Sequence, residues 1–239
     1  MPKFFVSPNQ IDKTRALITG EDVSHISKVL RMRIGDELVI CDGLGNDYFA
    51  VIDKLDKGVI TAKINRHERC VAESKIEVIL FQALPKQGKM EYIIQKNTEL
   101  GVSKIIPFYS KRCVTKPSDK LMRWQRVAFE AAKQSGRGII PEVCEVVSFI
   151  EAISQMLSLE KCFMLYEGEA EARLKDILNN NVFSQIGFMV GPEGGFEPSE
   201  ALYAMEKGIP AVTLGKRILR TETAGAAVLP IVMYSQDEI

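Results

Sequence analysis

Histidine is scarce in this chain, with two among 239 residues, and tryptophan appears once. His25 and His67 are too few for a zinc cluster. None of the five cysteines (Cys41, Cys70, Cys113, Cys144, Cys162) forms a Cys-x-x-Cys pair, so no metal is expected. Their odd number and scatter suit reduced thiols rather than a disulfide framework. Excess charge is missing as well. Lys+Arg and Asp+Glu each total 31, so any nucleic-acid site must be a local patch. No apolar run approaches the roughly 20 residues that cross a bilayer. Met1-Pro-Lys-Phe-Phe-Val6 lacks a signal-peptide core, so a cytoplasmic location with no membrane partner is expected. Neither Gly-x-Gly-x-x-Gly nor Gly-x-x-x-x-Gly-Lys-Ser/Thr occurs, which disfavours a dinucleotide site and a nucleotide hydrolase.

What is present is ordinary in bulk, at 46% apolar and 26% charged residues, and informative in order. Val23, Ile26, Val29 and Leu30 share one face at helical spacing, and Gly35 breaks that pattern. Short β-rich runs follow at 37–41, 48–53 and 59–64, separated by the turn signals Asp42–Asn46 and Asp56–Gly58. These features predict a small antiparallel barrel or sheet over residues 1–70, with 66–74 as a linker. From 74 to 239, buried strands at 76–84, 104–109, 162–166, 187–190 and 212–214 alternate with helices at 92–100 and 121–133. That rhythm predicts an α/β layer with a mostly parallel sheet.

Ligands of such a sheet bind beyond the carboxyl ends of its strands. Three loops qualify: Tyr166–Glu169, Gly191–Phe196 and Gly215–Glu222. Glu193 would repel a phosphate, so the Gly191-Pro-Glu-Gly-Gly195 loop suits a neutral or zwitterionic ligand held by main-chain groups, such as an adenosine moiety. A bare strand-to-helix turn would use the same residues, with Pro198 first in the helix and Glu200 in its first turn. Downstream, Thr221 or Thr223 can cap a helix. The small residues Ala224-Gly-Ala-Ala227 allow close approach of a backbone or a flat ligand.

Together, Gly191-Pro-Glu-Gly-Gly-Phe196 and Leu214-Gly-Lys-Arg-Ile-Leu-Arg-Thr-Glu-Thr-Ala224 resemble the ribosomal RNA small subunit methyltransferase E family of the SPOUT superfamily. Lys96-Asn-Thr-Glu-Leu-Gly101, Glu130-Ala-Ala-Lys-Gln-Ser-Gly-Arg137 with Pro141, and His25, Val29-Leu-Arg31 and Gly35 extend the resemblance over nearly the whole chain. One departure is Lys3-Phe-Phe5, where the family pattern has Arg; a bidentate phosphate grip is lost there. The resemblance implies a PUA-like RNA-binding barrel over 1–70 and a SPOUT domain over 74–239 with a deep trefoil knot. It implies a homodimer and methylation of uridine N3 in 16S rRNA, within the assembled small subunit. It also implies S-adenosylmethionine held by three groups of residues. These are Leu165, Tyr166 and Glu167; Val190, Gly191, Pro192, Glu193, Gly194 and Gly195; and Leu214, Gly215, Ile218, Leu219, Arg220, Thr223 and Ala224.

Uridine N3 is a poor nucleophile until its proton leaves, so the site must favour the uracil anion. Arg220 is the expected stabilising cation, with Glu222 or Glu193 as proton acceptor or orienting group; a helix-start ion pair between Arg220 and Glu222 is the competing reading. Candidate RNA contacts are Lys3, Arg31 and Arg33, then Lys86, Lys89, Arg112, Lys116 and Arg137. His25 is expected to pack or cap, and Trp124 to pack helix on sheet. No cysteine is expected to act as a nucleophile. A catalytically inactive RNA-binding factor and a tRNA ribose methyltransferase are the alternatives, and the intact carboxyl-terminal motifs speak against both.

Overall fold

Alternating apolar residues build the first sheet. The computed structural model describes residues 1–86, 88–114, 120–168, 172–179 and 182–239. It divides into two compact units, one formed by Met1–Glu73 with Ala132–Ile140, the other by Ser74–Ala131 with Pro141–Ile239. In the first unit β1 (Lys3–Phe5), β2 (Arg15–Thr19), β3 (Glu37–Cys41), β4 (Asn46–Asp56) and β5 (Val59–Arg69) pair in the order β1-β3-β4-β5-β2. Ala16 and Ile18, Leu38 and Ile40, and Ile60 and Ala62 turn the same way along their strands and close over Phe4 and Ile26. Of the expected antiparallel barrel or sheet, the paired strands form a sheet with β1 and β2 at its edges, and one pairing departs from expectation, since β1 joins β3 in parallel. The expected linker at 66–74 is also shorter, because β5 runs on to Arg69.

Two local signals shape this unit. Asp42 organises the predicted turn, its carboxylate accepting from the N–H groups of Leu44 (2.8 Å) and Asn46 (3.1 Å). The predicted helix is real but short. After α1 (Glu21–Ser24) the chain takes a π-helical turn over His25–Val29, with the Leu30 N–H donating to the His25 carbonyl. The extra residue in that turn rotates the face that a 3.6-residue period assumes. Ile26 stays buried, but Val29 and Leu30 are 68% and 42% exposed, contrary to expectation. His25 packs edge-on against Phe4, as a packing residue should.

In the second unit, β6 (Glu77–Ala83), β7 (Lys104–Tyr109), β8 (Glu142–Val143), β10 (Lys161–Leu165), β11 (Ala172–Arg173), β12 (Gln185–Val190) and β13 (Ala211–Thr213) form one sheet. Its order is β11-β13-β10-β12-β6-β7-β8, and β9 (Val147–Ser148) also pairs with β7. Every pairing is parallel. Strands buried on both faces need a core on each side. Val78 and Leu80 of β6 face one core, with α2 (Lys89–Glu99), α3 (Leu121–Gln134), α5 (Leu174–Leu178) and α7 (Thr221–Ser235). Ile79, Phe81 and Ala83 face the other, with α4 (Phe149–Met156) and α6 (Pro198–Glu206). Trp124 is buried in the first of these cores, packing α3 as its sequence context predicts. Gly101, at φ +99°, ends α2 in the left-handed conformation that the C′ position asks for. Pro198 does open α6, whose first turn is closed by a reciprocal box between Glu197 and Glu200.

Candidate functional site

β13, β10 and β12 are neighbours in the sheet, so the turns that leave their carboxyl ends lie side by side. They converge on a cleft of about 310 Å³. Leu165, Tyr166 and Glu167 come from the first turn, Val190, Gly191 and Pro192 from the second, and Leu214, Gly215, Ile218 and Leu219 from the third. Ala224, in the first turn of α7, completes the apolar wall. Eleven of the expected cofactor residues therefore share one cavity. Lys216, Arg217 and Thr221, from the third expected loop, line it too, as do Val212 and Thr213, which were not anticipated.

A second cleft, of about 560 Å³, adjoins the first through Glu167, Pro192, Ile218, Leu219 and Thr221, which line both. Here stand Glu193, Gly194, Gly195 and Arg220, expected at the cofactor but placed beside it. Thr223 is exposed and lines neither cleft. Glu169 and Lys116 lie outside the described residues.

Steric contact dictates the make-up of the glycine loop. Gly195 sits at φ +67°, and a Cβ built on it would overlap the Glu167 carboxylate. A side chain there would thus displace the Glu167 carboxylate from the face of the second turn. The loop is also tied to α7. Thr221 neither caps that helix nor faces solvent; Arg220 occupies the N-cap position with no side-chain cap bond. Instead the Thr221 hydroxyl donates to the Gly191 carbonyl (2.7 Å) and accepts from Nε2 of Gln82 (2.9 Å). Gln82 is fully buried on β6, and neither end of this relay was visible in the sequence pattern. The small residues of α7 have two uses: Ala224 lines the cleft, while Gly225 lies against Asn97 of α2.

Charge in the second cleft centres on Lys89, the first residue of α2. Its ammonium lies 3.0 Å from the Glu222 carboxylate and 3.2 Å from that of Glu193. The Glu193 carboxylate also accepts from the Lys86 N–H at 3.0 Å. Burial alone would raise the pKa of Glu193. Its own N–H, the Lys86 N–H and Lys89 outweigh that and hold it below the ordinary carboxylate range. Glu222 is likewise lowered, since its own N–H, Lys89 and the nearby Arg220 charge outweigh burial. Both are therefore stabilised as anions, which makes them weak proton acceptors. No carboxylate lies within ion-pair distance of Arg220 among the described residues, so the competing reading, an ion pair with Glu222, is not what the structure shows.

The proposed RNA contacts separate into two kinds. Arg31, Arg33, Lys86 and Arg112 are exposed, though Arg112 donates to the Gly194 carbonyl at 2.8 Å. Lys3, Arg137 and Lys89 instead have carboxylate partners within the protein. Lys3 donates to Asp47 (2.9 Å), the Gly136 carbonyl (3.0 Å) and the Cys70 sulfur (3.2 Å), and its side chain is 13% exposed. Burial there would lower its pKa, but Asp47 and Cys70 more than compensate and raise it. A compact ammonium fits that nest of three acceptors. Arg137 is buried against Glu73 at 2.8 Å. Burial also pushes up the thiols of Cys113 and Cys162, the reverse of what a nucleophile requires.

Fold and cleft define the class. A family model described as an RNA methyltransferase domain matches residues 72–233, and one described as an RNA methyltransferase PUA domain matches residues 18–65. Ribosomal RNA small subunit methyltransferase E of Bacillus subtilis is 34% identical over 250 residues, covering 99% of this chain and 98% of that protein. The protein of the same name from Synechocystis is 34% identical over 230 residues, covering 95% and 75%. A solved ribosomal RNA small subunit methyltransferase E from Neisseria gonorrhoeae, bound to S-adenosylmethionine, superposes with a TM-score of 0.87 at 35% identity, covering 98% of this chain and 97% of that one. The chain belongs to the ribosomal RNA small subunit methyltransferase E family.

Proposed function

We propose that this protein transfers a methyl group from S-adenosylmethionine to N3 of one uridine in 16S rRNA. The observation that carries the reading is the convergence of three turns on one cleft. Beside it lies a second cleft bearing an arginine with no carboxylate partner among the described residues. The residues suit an adenosyl ligand. Leu165, Val190, Leu219 and Ala224 supply apolar walls, while glycine and proline turns present main-chain polar groups. When bound, S-adenosylmethionine supplies an electrophilic methyl on a sulfonium centre.

The protein's part is alignment and charge management. Arg220 stabilises the negative charge that develops on the uracil oxygens as N3 loses its proton. Glu193 and Glu222, held as anions by Lys89, orient the walls rather than accept that proton, which passes to water. The residues at 1–70 form the PUA-like RNA-binding domain, and Arg31 and Arg33 meet the RNA backbone. Those at 74–239, apart from the 132–140 segment that belongs to the first unit, form the SPOUT domain, with the turns of β12 and β13 as walls of a trefoil knot, and Lys86 and Arg112 as further phosphate contacts. The protein works in the cytoplasm as a homodimer on the small ribosomal subunit.

Incubation of small subunits with protein and labelled S-adenosylmethionine, followed by nucleoside analysis, tests this reading. A single 3-methyluridine per 16S rRNA is expected. Label on a ribose 2′-hydroxyl, or incorporation only into tRNA, would contradict it.

A further inference from the structure

A lysine at the first residue of a helix carries the wrong sign for the helix dipole, which favours anions there. Lys89 holds that position in α2, behind Gly88, a residue that offers no side-chain cap. The charge is offset by two carboxylates from segments remote in sequence. Glu193 follows Pro192 in the glycine turn, and Glu222 follows Thr221 at the start of α7. Pro192 and Thr221 both line the first cleft, whereas Lys89 lines only the second. One ammonium therefore bolts two walls of the first cleft to α2 without lining that cleft itself.

We propose that Lys89 is a positioning residue for the cofactor cleft: it neutralises Glu193 and Glu222 and so holds the glycine turn against the start of α7. The inference rests on the methyl-donor reading of the first cleft. Without Lys89, two carboxylates would confront one another, with Glu167 a third on the same cleft. Lys86 and Arg220 are the other charges lining it, Cys113 approaches Glu193, and Arg112 is committed to the Gly194 carbonyl. Repulsion would then part the walls.

The test is calorimetric titration of S-adenosylmethionine into wild type, K89M, K89R and the double variant K89M/E222Q, with methylation kinetics on small subunits alongside. Lys89 is outside the cores, with its side chain 31% exposed, so all four proteins should melt within a few degrees of each other. K89M should weaken binding about tenfold or more, K89R should stay within about threefold of wild type, and K89M/E222Q should regain several-fold of the loss, because it removes one of the two clashing charges. The KM for small subunits should barely move. Unchanged cofactor affinity in K89M with a raised KM for subunits would overturn the proposal and make Lys89 an RNA contact. Equal losses in K89M and K89M/E222Q would overturn it as well. A wild-type protein that binds no S-adenosylmethionine would instead sink the methyl-donor reading itself.

Discussion

Arg220→Ala should reduce methylation turnover by about 10²–10³-fold, the usual cost of losing one preorganised donor to developing negative charge. Cofactor affinity should change by less than about threefold. The separation follows from place. Arg220 lines the second cleft and not the first, and no carboxylate pairs with it among the described residues. A guanidinium so placed beside the donor cleft has no ion pair to lose on truncation, so its removal should register in turnover. Its backbone is another matter, since the Arg220 carbonyl accepts the Thr223 and Ala224 N–H groups at the start of α7; alanine keeps those bonds. Single-turnover rates with saturating cofactor, read against a calorimetric affinity, check both halves. Turnover within a few-fold of wild type would remove Arg220 from the mechanism.

Gly195→Ala should produce the opposite pattern, a loss of cofactor binding first. The left-handed conformation at φ +67° costs a residue with a Cβ roughly 1–2 kcal/mol. The added methyl must also displace the Glu167 carboxylate, which belongs to the neighbouring turn. The strain burdens free and bound protein alike, so the displaced Glu167, which lines both clefts, is what should lower affinity for S-adenosylmethionine, by about three- to tenfold. Gly208→Ala serves as the control, because Gly208 is also left-handed, at φ +92°, yet a Cβ there meets open space and the residue lines neither cleft. Equal effects of the two substitutions on binding would mean that backbone strain, rather than the contact between turns, sets the affinity.

Much of the second unit was legible because its strands are buried on both faces and its helices α2 and α3 are amphipathic. Such segments announce themselves as continuous apolar runs and 3.6-residue stripes. The three ligand turns were legible for a related reason. Glycines at a strand end cost chain entropy on folding, so a cluster of them marks a place where backbone must approach something closely. Partnerships were not legible. Lys89 and Glu222 lie 133 residues apart, and Gln82 and Thr221 lie 139 apart. Nothing local to either partner encodes such a bond. Surface charge misled for the same reason. Lys3 and Arg137 read as candidate RNA contacts until the fold supplied Asp47 and Glu73 as partners. The π-helical turn at His25–Val29 escaped because periodicity assumes one constant pitch, and a single extra residue per turn sends Val29 and Leu30 outward.

The mechanism depends on main-chain-rich turns after β10, β12 and β13 forming the seat of a methyl donor. Crystals of the protein soaked with S-adenosylmethionine test this most directly. Density for the adenosyl group should fill the cleft bounded by Leu165, Gly191 and Leu219, with the methyl directed toward the cleft that holds Arg220. Density at any other place on the molecule, or an empty cleft at saturating ligand, would contradict it.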